Sequence, residues 1–147
     1  MSASEADLRR AIAVLDQYRA QIDVLQRQAE VVQLGLEENL RARETAARYR
    51  EAGPDTEVLV PIGGNVFLVA QVKDPERALV GIGSDVVVQE SIPTAVERLE
   101  ARVRDLRKAQ EALAGQIDEL ERRLEAQSEF VQSSYERLGK RAEPRRD

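Results

Sequence analysis

The chain has 147 residues, of which 33% are charged and 3% aromatic, a net charge of −5, and neither cysteine nor histidine. So few aromatics leave too little large apolar surface for one ordinary globule, and the negative balance argues against holding a nucleic-acid backbone by charge. The missing Cys and His exclude disulfides, thiol nucleophiles, zinc sites and imidazole acid-base chemistry.

Residues 1–52 read as one long helix. Ser2 and Ser4 each have an acidic residue three positions on (Glu5, Asp7), a capping-box spacing. A three-four spacing then runs through Leu8, Ala11, Leu15, Tyr18, Ile22, Leu25, Ala29, Val32, Leu36 and Asn39. Sustained over several heptads, it marks a coiled-coil seam, which is narrower than an ordinary amphipathic stripe. Ala52-Gly53-Pro54 ends the helix, because Gly suits the C′ position and Pro cannot continue it.

Residues 53–92 read as four strands in two hairpins. Glu57 to Ile62 ends at Gly63-Gly64, a hairpin-turn signal, and Val66 to Val72 follows. After the turn at Asp74-Pro75, Ala78 to Ile82 runs to Gly83-Ser84-Asp85, and Val86 to Ser91 leads on. Val66, Phe67, Leu68, Val69 and Ala70 are apolar on both faces, as are Val86, Val87 and Val88. A module this small cannot cover both faces itself, so these residues are candidates for oligomerisation.

Residues 93–140 read as a second helix that starts near Ser91 to Thr94, where Thr94-Ala95-Val96-Glu97 fits a capping box, with fraying expected near Gly139. Its seam runs through Val96, Leu99, Val103, Leu106, Gln110, Leu113, Ile117, Leu120, Leu124, Gln127, Val131, Ser134 and Leu138. Residues 141–147 form a charged tail, and its basic side chains (with Lys140) either touch an acidic surface or are simply solvated. Folding the two arms back about the insert gives an antiparallel pair, with residue numbers facing each other that sum to about 145. Polar seam residues such as Asn39, Gln110, Gln127 and Ser134 are expected to fix register at some cost in stability. The fold class is thus α+β: a long antiparallel two-helix coiled coil carrying a four-stranded β insert.

This layout resembles the α-type subunit of archaeal prefoldin. The most specific part is Val60-Pro61-Ile62-Gly63-Gly64-Asn65-Val66-Phe67 through Val80-Gly81-Ile82-Gly83-Ser84-Asp85-Val86-Val87-Val88-Gln89-Glu90. The β-type subunit has a single hairpin, so four strands point to the α type. The resemblance implies a hexamer of two α and four β subunits, with the strands joined into a β-barrel platform and the coiled coils hanging from it. It also implies an ATP-independent holdase that takes unfolded client proteins at the arm tips and passes them to a group II chaperonin. No cofactor, metal or catalytic role is expected. Gly63-Gly64 is followed by neither a Lys nor a helix, so it reads as a turn rather than a phosphate loop.

The tip candidates are Leu8, Ile12, Leu15, Phe130, Val131, Tyr135 and Leu138. Leu8, Leu15 and Val131 also read as plain seam residues. Ile12, Phe130 and Tyr135 fall off the seam and widen the apolar stripe, which suits contact with exposed apolar segments. Two rival readings remain. A structural tether would bind one defined partner through the same architecture. A nucleic-acid-contacting arm would need a basic stripe, whereas here the charges of both signs are interspersed. No run of residues is apolar and long enough for a membrane span, and Met1 to Glu5 lacks the features of a signal peptide, so the expected location is cytoplasmic.

Overall fold

The computed structural model describes residues 4–142. In chain order it has α1 (Glu5–Ala52), β1 (Glu57–Gly63), β2 (Val66–Gln71), β3 (Arg77–Gly83), β4 (Val86–Ser91) and α2 (Ile92–Ala142). Among the described residues, no helix is long and apolar enough to cross a membrane. The chain divides into two compact units, one of residues 1–33 with 108–147 and the other of residues 34–107.

The first unit pairs residues 5–33 of α1 with residues 108–142 of α2 in an antiparallel coiled coil. α1 begins with a full capping box. The Ser4 hydroxyl accepts from the Asp7 N–H at 3.2 Å, and the Asp7 carboxylate accepts from the Ser4 N–H at 3.1 Å. Two orphan donors of the first turn are thereby satisfied. Ser2, the other cap candidate, lies outside the described residues. Leu8, Ala11, Leu15 and Ile22 are buried, and Tyr18, Leu25, Ala29 and Val32 are half-buried. Across from them, Leu113, Ile117, Leu120, Leu124 and Val131 are half-buried. Every expected seam position of this unit therefore turns inward.

Polar seam residues act in different ways. The Gln110 amide donates to the Gln33 side chain, and the Gln127 amide donates to the Ala11 carbonyl at 3.1 Å. Both bonds tie the two helices in one register. Ser134 is 1% exposed, and its hydroxyl has no hydrogen-bond partner. α2 also runs past Gly139 to Ala142, so the helix continues through the position where fraying was expected. Of the basic tail, Arg141 is helical, and Arg145 and Arg146 lie outside the described residues.

The second unit contains residues 34–52 of α1, both hairpins and residues 92–107 of α2. Leu36, Val72, Ile92, Ala95 and Val103 are buried here. Leu106 reaches Gly35, so a Cβ on that glycine would meet its methyl carbons at 3.7 and 3.8 Å. This contact lies within one helical turn of the about-145 register. Asn39 does not cross to α2: its amide donates to the Gly35 carbonyl at 2.7 Å, within α1.

α1 ends at Gly53, whose φ of 78° is left-handed, with Pro54 next. The Thr56 hydroxyl donates to the Ala52 and Gly53 carbonyls at 2.8 and 3.0 Å, satisfying helix-end acceptors. α2 starts at Ile92, inside the Ser91-to-Thr94 span read from the sequence, but it is not capped at Thr94. Its cap is Ser91, whose hydroxyl accepts from the Thr94 N–H at 3.3 Å, and Thr94 is already helical. Pro93 sits in the first turn, where its missing N–H costs nothing.

β1 pairs with β2 and β3 with β4, each antiparallel, as two separate two-stranded sheets. The hairpins repeat each other at an offset of twenty residues. Glu57 pairs with Gln71 as Arg77 pairs with Ser91, and both ladders shift register just before the turn. The turns match too. Gly64 and Asn65 have φ of 57° and 58°, Ser84 and Asp85 have 50° and 59°, and Gly63 and Gly83 have 102° and 111°. Two successive positive φ values are the mark of a type I′ turn, whose twist suits a hairpin. Even the closing bonds correspond: the Val72 N–H donates to the Thr56 carbonyl, and the Ile92 N–H to the Glu76 carbonyl.

Candidate functional site

The second unit exposes most of its strand surface. In β2, Val66, Phe67, Leu68 and Val69 are each at least half exposed, with Phe67 at 55% and Val69 at 63%. Neighbouring residues of a strand point to opposite faces, so both faces of this hairpin are apolar and uncovered. Ala70 is half-buried at the root. In β4, Val86 and Val87 are exposed and Val88 is half-buried. The structure thus brings the sequence-derived oligomerisation candidates together on two short ribbons. It adds Leu59, Val60 and Ile62 in β1 and Leu79 and Ile82 in β3, all exposed. The uninterrupted apolar runs Val58-Leu59-Val60 and Ala78-Leu79-Val80 were a signal for them that the sequence reading did not use.

The two ribbons are held differently. The second is pinned by charge. The Arg98 guanidinium bonds both oxygens of Glu90 at 2.7 and 2.8 Å, and the Glu90 side chain is only 11% exposed. Arg102 donates to the Gly81 carbonyl at 2.9 Å. Arg50 pairs with Glu76 at 3.1 Å, and the Tyr49 hydroxyl donates to the Asp74 carbonyl at 3.3 Å. Charge-assisted bonds of this kind orient more than they stabilise when exposed. No spacing in the sequence signals them, because they join residues 8 to 26 positions apart. The first ribbon is fixed at its root, where Val72 is buried, and the Asp55 N–H donates to the Val72 carbonyl at 2.8 Å.

In the first unit the tip candidates separate into two groups. Leu8 and Leu15 are buried in the seam, and Val131 and Leu138 are half-buried. Ile12, Phe130 and Tyr135 are 39%, 46% and 69% exposed. The same unit has an open groove of about 520 Å³ lined by Ala20, Val24 and Leu25 with Gln116, Leu120 and Arg123. Val24 and Val31 are exposed on α1 outside the seam, a feature not singled out from sequence. Among the described residues, no cluster of carboxylates could hold a metal ion.

The prefoldin family model, described as Prefoldin subunit, matches residues 18–137. The chain belongs to the prefoldin family. Prefoldin subunit alpha of Methanospirillum hungatei is 32% identical over 129 residues, spanning 88% of this chain and 83% of that protein. Prefoldin subunit alpha of Methanoregula boonei is 36% identical, over 76% of each chain. Within the family the chain is therefore of the archaeal α type, in keeping with its two hairpins, and the family is one of molecular chaperone subunits. A filamentous prefoldin from Methanocaldococcus jannaschii superposes with a TM-score of 0.68 at 20% identity, covering 78% of this chain and 94% of that one. The prefoldin β subunit of Thermococcus strain KS-1 superposes with 0.61 at 19% identity, covering 91% and 96%. Both share the fold of long paired helices and small antiparallel strands.

Proposed function

We propose that this prefoldin chain is the α subunit of a hetero-oligomeric, ATP-independent holdase. Its β ribbons join those of β-type subunits, two α with four β, in a barrel-like platform. The observation that carries this reading is the exposure of Phe67, Leu68 and Val69 on both faces of one ribbon. A lone subunit leaves that apolar surface in water, and burying it against other subunits removes the cost. The oligomerisation set is Val66, Phe67, Leu68, Val69, Ala70, Val86, Val87 and Val88.

At the other functional surface, Ile12, Phe130 and Tyr135 meet unfolded client proteins in the cytoplasm. Leu8, Leu15, Val131 and Leu138 form the packed layer beneath them. Each contact is weak, and several arms on one assembly raise the local concentration of sites, so modest contacts sum to a useful but releasable hold. Handover to a group II chaperonin completes the role.

The test is suppression of aggregation. The chain assembled with a β-type subunit from the same source should protect several unrelated unfolded proteins at stoichiometric amounts, equally with ATP, without it, and with chelator. Protection of a single protein only would make the chain a tether. A requirement for nucleotide or metal would move it to another class.

A further inference from the structure

The two ribbons share one ladder pattern, yet they lie differently against the helices. Val60 and Leu68 of the first are 42% and 53% exposed, whereas their counterparts in the repeat, Val80 and Val88, are half-buried. The second ribbon is therefore covered one residue pair farther toward its turn. Ala70 and Pro61 of the first stand where Glu90 and Gly81 of the second meet Arg98 and Arg102. Among the described residues, no side-chain hydrogen bond or ion pair ties residues 57–71 to either helix.

The connections differ in the same sense. β4 ends at Ser91 and α2 begins at Ile92, so the second ribbon runs straight into a helix. Its other strand starts beside Asp74 and Glu76, which Tyr49 and Arg50 hold to α1. The first ribbon is reached from α1 through residues 53–56 and left through residues 72–76. Its backbone ties are the Asp55 to Val72 and Val72 to Thr56 bonds at the root.

Arg98 and Arg102 are one helical turn apart, so they share a face of α2. They grip the second ribbon at two heights. Glu90 pairs with Ala78 near the root, and Gly81 pairs with Val87 near the turn. One contact leaves a ribbon free to rotate about it, whereas two fix its angle. We infer that Arg98 and Arg102 are positioning residues for assembly: they set the pose of the second ribbon before a partner arrives, while the first ribbon swings about its root and takes its pose on binding. The inference rests on the proposed assembly and specifies how its surface is prepared. A surface already held in its bound pose loses little freedom when a β-type subunit arrives, and a swinging one loses more.

The chain has no cysteine, so paired spin labels can be placed without background. In the free chain, labels at Val86→Cys and Arg104→Cys should give a narrow distance distribution, and labels at Val66→Cys and Arg104→Cys a broad one. Replacing Arg98 and Arg102 together by Ala should broaden the first to match the second, with helical circular dichroism unchanged. The same pair should weaken assembly with a β-type subunit by about tenfold. Arg98→Glu alone should also weaken it, and Arg98→Glu with Glu90→Arg should restore it. A guanidinium that touched the partner directly would not be rescued in this way. Equal widths for the two ribbons, an alanine pair that assembles like the unaltered chain, or a swapped pair that stays weak would each overturn the clamp and leave the proposed assembly standing. If the unaltered chain forms no complex, the assembly reading fails and the positioning role falls with it.

Discussion

Ser84 stands in the second hairpin where Gly64 stands in the first, and the two share a left-handed backbone, with φ of 50° and 57°. For an L-residue with a Cβ that conformation costs roughly 1–2 kcal/mol, which glycine avoids. Glycine also gains freedom in the unfolded chain, which offsets part of the difference. Ser84→Gly should therefore stabilise the chain by up to about 1 kcal/mol. Gly83, at φ 111°, is the opposite case. Gly83→Ala should cost more than about 1 kcal/mol, since no L side chain suits that angle. Denaturant midpoints of the two variants, expected to move in opposite directions, check the turn assignment.

Assembly offers a second prediction. Phe67→Asp or Val69→Asp puts a charge where the proposed platform would bury it, a strongly unfavourable change. Each variant should lose the assembled mass while keeping its helical circular dichroism. Normal assembly by either would remove the basis of the platform.

A third concerns the arm ends. Fully burying one apolar side chain is worth about 1.5–3 kcal/mol, and a partly buried client contact yields less. Replacing Ile12, Phe130 and Tyr135 together by Ser should cut client protection severely while the assembled mass is unchanged. The seam should survive, because all three side chains are exposed. Truncation before Phe130 should act in the same direction. Undiminished protection would shift attention to the arm flanks near Val24 and Val31.

Ser134 supplies a fourth. A buried hydroxyl without a partner costs about 1–3 kcal/mol relative to one that is satisfied. Ser134→Ala removes that group and leaves a side chain suited to a helix. The variant should be more stable by about 1 kcal/mol, read as a raised denaturant midpoint. A loss instead would mean the hydroxyl finds a partner in solution, such as a water molecule.

The fifth is a pH effect at the first cap. The Ser4 N–H, and then the Ser4 hydroxyl, hold the Asp7 carboxyl below its ordinary value. A depressed carboxylate contributes stability that is present above its unfolded pKa and lost as pH falls through the folded one. The first turn of α1 should therefore fray selectively as pH falls through and below the ordinary carboxyl range, seen as a loss of protection of the Asp7 and Leu8 amides relative to their intrinsic exchange rates. In Asp7→Asn, which does not titrate, exchange should lose that dependence.

Much of this architecture was legible in the sequence, and the reasons are specific. The seam was readable because a coiled coil repeats one contact many times, so one misplaced residue cannot hide the period. The strands were readable because Gly63-Gly64 and Gly83 punctuate apolar runs. The start of α2 was legible only to the span from Ser91 to Thr94, because both ends fit a cap and only geometry chooses between them. The twenty-residue repeat had a visible signal, Val-x-Ile-Gly at residues 60–63 and again at 80–83, that was not used. The Arg102 to Gly81 bond had none, since it depends on where the second ribbon lies against α2. At the arm ends, periodicity rightly separated Ile12, Phe130 and Tyr135 from the seam. It could not tell which seam residues would be fully enclosed.

The bareness of the β ribbons makes this chain's stability a matter of concentration. Within one subunit, each ribbon is a two-stranded sheet with apolar surface in water. Such hairpins are marginal alone. If partners bind only the folded ribbons, their free energy of binding adds to that of folding, and the unfolding midpoint rises with subunit concentration. An orphan subunit would then be the form most open to proteases, so surplus α chains would be removed until their number matched that of their partners.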